Sequence, residues 1–122
     1  MAQSLAALST YVPTLTAAWI LVAISGAFEI VFSVLMKQTD GFTRPAPSAV
    51  AVVAALVSIW LMTISLRTLA LGPAYAVWAG IGTLGAAIAG VVVYAEPLTA
   101  LKTTFMVLVI VGIVGLQLQS AE

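Results

Sequence analysis

Four long apolar stretches, nearly free of charge, alternate with short polar segments along this chain. They cover about residues 17–36, 48–66, 73–95 and 98–118. A helix rises about 1.5 Å per residue, so each stretch is long enough to cross the ~30 Å hydrocarbon core of a bilayer. None shows the strict alternation of a half-buried strand. The pattern predicts an all-α integral membrane protein with four transmembrane helices in one domain. The connecting segments are only a few residues long, so consecutive helices are antiparallel neighbours with no room between them for a soluble domain.

The punctuation between the stretches supports these limits. Lys37 and the polar run Gln38-Thr39-Asp40-Gly41 end the first span. Arg44-Pro45-Ala46-Pro47-Ser48 opens the second, because proline is tolerated in a first helical turn. Arg67 and Gly72-Pro73 separate the second from the third, and Glu96-Pro97 ends the third. Lys102 falls in the first turn of the fourth span, where its long stem can reach the headgroups. Residues 1–16 form a short N-terminal extension, partly helical and interrupted near Pro13. They lack the basic start of a secretory signal. Residues 119–122 form a C-terminal tail.

Composition agrees with the pattern. Of the 122 residues 63% are hydrophobic and 7% charged, whereas a soluble domain is about a quarter charged. So few charges could not cover a soluble globule of this size. The formal net charge is zero, which argues against nucleic acid as a partner. There is no Cys and no His, which removes disulfides, thiolate metal sites and the commonest proton shuttle. No cofactor is expected, and no nucleophile–base pair marks an enzyme. An even number of spans puts both termini on one side, with Arg67. Lys37, Arg44 and Lys102 lie on the other. The excess of basic residues points the 37–47 and 96–102 loops to the cytoplasm by a narrow margin. Insertion in both orientations is compatible with so small a bias.

One residue breaks the apolar pattern. Glu29 lies inside the first span, where an ionised side chain costs about 2.5–3.5 kcal/mol on insertion scales. No Lys or Arg lies deep in another span to pair with it. Such a group can exchange a proton and, when ionised, attract a cation; a purely structural acid is the weaker reading. At helical spacing it is surrounded by Val22, Ser25, Gly26, Phe32, Ser33 and Met36. Ser25 and Gly26 suit either close helix packing or a cavity wall.

The third span carries a second stripe of Tyr75, Trp78, Gly82, Gly85, Ala86 and Ala89. Aromatic faces attract organic cations, most strongly in a dry site. Trp78 lies deeper than an interfacial anchor would, whereas nothing around Trp60 singles it out. Gly80-Ile81-Gly82-Thr83-Leu84-Gly85 fits a dinucleotide-binding pattern but lies inside a membrane span, with no strand before it, and is rejected. Ser58 either bonds back to its own helix or holds the Glu29 carboxylate or a substrate N–H. Gly112 and Gly115 read as a packing seam in the fourth helix. One acid in a thin four-helix bundle is most simply enclosed by a homodimer.

Several segments, in order, resemble the small multidrug resistance family. They are Gly26-Ala27-Phe28-Glu29-Ile30, Met36-Lys37, Gly41-Phe42-Thr43-Arg44, Ala74-Tyr75-Ala76-Val77-Trp78-Ala79-Gly80-Ile81-Gly82 and Val111-Gly112-Ile113-Val114-Gly115-Leu116. The resemblance runs from Trp19 to about Leu118. It implies an antiparallel dimer of four-helix subunits in the inner or plasma membrane, exporting small organic cations in exchange for protons. It places the family's essential glutamate on Glu29, its third-helix aromatics on Tyr75 and Trp78, and the serine of guanidinium-exporting members on Ser58. Gly26 and Phe32 complete the expected substrate site, and Gly82, Gly85, Gly112 and Gly115 the helix-packing and dimer seams.

The stretch from Gly80 to Ala87, Ser58 and the Gly112–Gly115 ending are closer to the guanidinium exporters than to the quaternary-ammonium drug exporters. Phe32 stands where guanidinium exporters usually carry tryptophan, and Phe105 where many drug exporters carry glycine. The expected partners are protons, guanidinium or quaternary ammonium ions, lipid, and a second copy of the chain or a related one. The competing readings are a broad-range hydrophobic-cation exporter, one half of a heterodimer, a cation channel and a non-transporting membrane subunit.

Overall fold

The computed structural model describes residues 10–120 together with Gln3, Ala6 and Ala7, the Ser120 side chain excepted. Among the described residues there are four long helices: α1 (Leu15–Gln38), α2 (Pro45–Ser65), α3 (Leu71–Tyr94) and α4 (Ala100–Ser120). All four are long and apolar enough to cross a membrane. Residues 1, 2, 4, 5, 8 and 9 of the expected N-terminal extension and residues 121–122 of the tail lie outside the described residues. Of the extension, Gln3, Ala6, Ala7 and Thr10 are helical, and Tyr11–Thr14 are not.

Local chemistry sets the helix ends. The Thr14 hydroxyl accepts from the Ala17 N–H at 3.2 Å and caps α1. Pro45 opens α2, where its missing N–H leaves no helical bond unmade. Between them Asp40, Gly41 and Phe42 take φ of 51°, 70° and 64°. This left-handed run costs least at Gly41. The buried Thr39 steadies it, its hydroxyl donating to the Met36 carbonyl and accepting from the Phe42 N–H. Ala95 ends α3 at φ 54°, and the Glu96 N–H turns back onto the Gly90 carbonyl at 3.0 Å.

Helix α1 is central and packs on both α2 and α3, while α4 packs principally on α3. Small residues allow the close approach, as is usual between membrane helices. A Cβ at Gly26 would meet the Ile81 side chain, and one at Gly85 the Ile30 side chain. The core is correspondingly light: Ala18, Val22, Met62, Leu69, Ala74 and Val77 form its buried cluster. At the N-terminal end of α1, Arg67 Nη1 donates to the Tyr11 carbonyl at 2.7 Å and Thr68 Oγ1 to the Pro13 carbonyl at 2.5 Å. These bonds tie the α2–α3 loop to the chain just before α1.

Much apolar surface remains outside, as lipid-facing helices require. No described side chain of α4 is buried, and a Cβ at Gly112 or Gly115 would meet nothing within 4 Å. The seam expected at these two glycines is therefore not made within the subunit.

Candidate functional site

Glu29 faces inward from the middle of α1, where α1, α2 and α3 meet. Its carboxyl lies against the α3 backbone at Gly82, and a Cβ there would fall 2.7 Å from Oε1 and closer still to Oε2. Gly82 thus provides the seat of the carboxyl as well as helix packing. Oε2 is buried and has no hydrogen-bond partner among the described residues. A buried carboxylate oxygen is normally satisfied, and leaving one unpaired is costly. A proton or a cation at this oxygen would satisfy it.

Beside the carboxyl is a cavity of about 110 Å³ lined by Glu29, Phe32, Ala55, Ser58, Ile59 and Trp78. Its walls are apolar apart from the carboxyl, the Ser58 hydroxyl and the indole edge. Phe32 and Glu29 come from one face of α1 at i, i+3, Ala55, Ser58 and Ile59 from one face of α2, and Trp78 from α3. A water molecule's share of liquid volume is about 30 Å³, so the cavity suits a compact solute rather than a large drug.

The polar groups around the cavity are arranged differently from the expectation at Ser58. Trp78 Nε1 donates to Ser58 Oγ at 3.1 Å. Ser58 Oγ donates in turn to the Ser25 carbonyl at 2.8 Å, and Ser25 Oγ to the Ser58 carbonyl at 2.7 Å. The one Ser58 proton is therefore used across the α1–α2 interface, neither on its own helix nor on Glu29. Ser25, which spacing alone left between packing and site, anchors this reciprocal pair and is fully buried.

The other expected site residues divide. Tyr75 does not line the cavity. It is about half exposed and meets Trp78 edge-on, with centroids 5.3 Å apart and planes at 62°. In one subunit it braces the indole. Gly26 lies outside the cavity too; a Cβ there would run into the Ile81 side chain of α3, so Gly26 serves helix packing. Trp60 is half exposed on the outside of α2, in the position of a lipid contact. Ala55 and Ile59 are wall residues that the sequence pattern did not mark, since plain apolar side chains carry no chemical signal.

Comparison with known proteins agrees with this architecture. The family model described as Small Multidrug Resistance protein matches residues 17–109. The chain belongs to the small multidrug resistance family. Its relatives include proteins named guanidinium exporter from Escherichia coli strain K12, Citrobacter freundii and Salmonella typhimurium. Each is 41% identical over 102 residues, which is 84% of this chain and 97% of the relative. The four spans and these membrane-transporter relatives make this small multidrug resistance protein a multi-pass protein of the cell inner membrane. The unmatched residues of this chain include the N-terminal extension, which lies before the family match at residue 17.

Proposed function

We propose that this protein is a proton-coupled antiporter that exports small organic cations, guanidinium compounds foremost and small quaternary ammonium ions besides. The observation that carries the reading is the Glu29 carboxyl, with its unpartnered oxygen, on a 110 Å³ cavity walled by Phe32 and Trp78. A flat, compact cation can pair with the carboxylate and lie against an aromatic face, two contacts that reinforce one another in a dry site. The names of the relatives support the same substrate class.

Coupling follows from the site having one carboxyl. A proton and a cation require the same negative charge, so binding of either excludes the other. If the site is exposed to one side of the membrane at a time, inward proton flow drives outward cation flow. A single subunit buries no described side chain of α4 and leaves Gly112 and Gly115 open. An antiparallel homodimer covers this face and brings two copies of Glu29 to one shared site. Tyr75, half exposed in the subunit, then becomes available to the shared site.

The decisive test is Glu29→Gln in proteoliposomes. The amide is nearly isosteric and cheaper to hold in the membrane, so the protein folds and dimerises. Proton-driven guanidinium uptake falls to the level of empty vesicles. Uptake that persists in the reconstituted variant refutes the mechanism. A current that does not saturate, and that flows without counter-transport in the unmodified protein, identifies a channel instead.

A further inference from the structure

We propose that the end of the α1–α3 seam beside the α1–α2 loop holds a second, peripheral cation site, built from Glu96 and Tyr94 and occupied in the resting protein by the Lys37 ammonium. The inference rests on the reading of the chain as a cation exporter and adds a place where the cation first docks.

The geometry is that of a cation already bound. Lys37 Nζ is 3.7 Å from Glu96 Oε1 and 4.6 Å from the centre of the Tyr94 ring. A carboxylate and an aromatic face are the two groups that the Glu29 cavity also offers. Tyr94 is held in place by its hydroxyl, which donates to the Val34 carbonyl of α1 at 2.8 Å. Glu96 is held by the reversal of chain at Ala95, which lays its carboxyl against Gly90, where any Cβ would displace it. Around these groups is a cavity of about 130 Å³, with Ser33, Ala86 and Ala89 in its floor. The nearby Lys102 is engaged elsewhere, its Nζ donating to the Pro97 carbonyl at 2.9 Å.

Position connects this site with the first. On α1, Glu29, Ser33 and Lys37 are four residues apart; on α3, so are Gly82, Ala86 and Gly90. Residues at this spacing stack along one helix face. The carboxyl of Glu29 meets Gly82 at the bottom of the ladder, and that of Glu96 meets Gly90 at the top. Eight residues of helix separate the levels, about 12 Å. Lys37 is more than half exposed on a flexible stem, so an incoming guanidinium can displace its ammonium toward the headgroups and take up the same carboxylate and ring.

The test uses full-length Glu29→Gln protein in lipid nanodiscs, which removes the inner carboxylate. Guanidinium chloride is titrated at constant ionic strength while the ring signals of Tyr11, Tyr75 and Tyr94 are followed by NMR. A saturable shift is expected at Tyr94 and none at Tyr11. Adding Glu96→Gln, an exposed change that leaves the fold intact, abolishes the shift. Adding Lys37→Gln removes the built-in competitor and tightens binding about two- to fivefold, the range expected for an exposed ion pair. A silent or non-saturating Tyr94 overturns the proposal, as does a shift that survives Glu96→Gln or one that sodium chloride reproduces. Because Glu29 is absent throughout, this result is independent of whether Glu29 drives transport.

Discussion

Gly82→Ala isolates the seat of the Glu29 carboxyl from every other function of the site. The new methyl would fall 2.7 Å from Oε1 and closer still to Cδ and Oε2, whereas ordinary contact begins near 3.4 Å, so the carboxyl moves by more than 0.7 Å. The obstructing atoms are the tip of a flexible side chain, so the backbone is not forced apart. The movement is into the cavity shared with Phe32 and Trp78, where the charge then occupies space meant for the cation. Charged groups misplaced by about 1 Å can lose on the order of a hundredfold in function. We expect guanidinium affinity to fall about ten- to hundredfold, equivalent to roughly 1.4–2.8 kcal/mol. Thermal stability should change far less. Isothermal titration in detergent, paired with a melting curve, measures both. Unchanged affinity would show that the carboxyl does not use this seat when the cation binds. A large fall in melting temperature would show instead that Gly82 is chiefly a packing residue.

Three further outcomes follow from the same geometry. Trp78→Ala should weaken guanidinium binding by about 2 kcal/mol, the value of one desolvated cation–π contact; Trp60→Ala, altering a lipid-facing ring, should leave it unchanged, and equal losses in a titration would place the site on the wrong face. Cation affinity should rise with pH, by up to about tenfold per unit while binding displaces one proton per cation. A dissociation constant flat from about pH 4 to 9, a range that includes the ordinary carboxyl value of about 4.3 and extends well above it, would remove the competition on which exchange depends. Gly112→Leu should weaken the dimer and transport together while leaving each subunit folded, because a side chain there meets nothing within the subunit; cross-linking in membranes reads the dimer, and an undiminished dimer band would move the interface elsewhere.

The sequence by itself determined the membrane architecture and singled out Glu29 as the candidate centre of the chemistry. Four apolar stretches of membrane-spanning length leave the backbone no choice but helix, since lipid offers it no hydrogen bonds. A single acid inside the first of them is equally legible, because an ionised group in hydrocarbon is tolerated only for a reason. Helical spacing also placed Phe32 beside Glu29 and Tyr75 beside Trp78, as both pairs lie on single helices. What spacing could not decide was which residue meets which across helices. Only the crossing of α1 with α3 shows that Gly82 seats the Glu29 carboxyl and that Gly26 packs on Ile81. Only the close approach of α1 and α2 turns the Ser58 hydroxyl to Ser25. Lys37, Tyr94 and Glu96 read along the chain as ordinary boundary residues; the reversal after α3 and its packing on α1 assemble them into one site. Periodicity records the direction of a side chain about its own axis, whereas a site depends on the distance between axes, and that is set by the small residues along the whole seam.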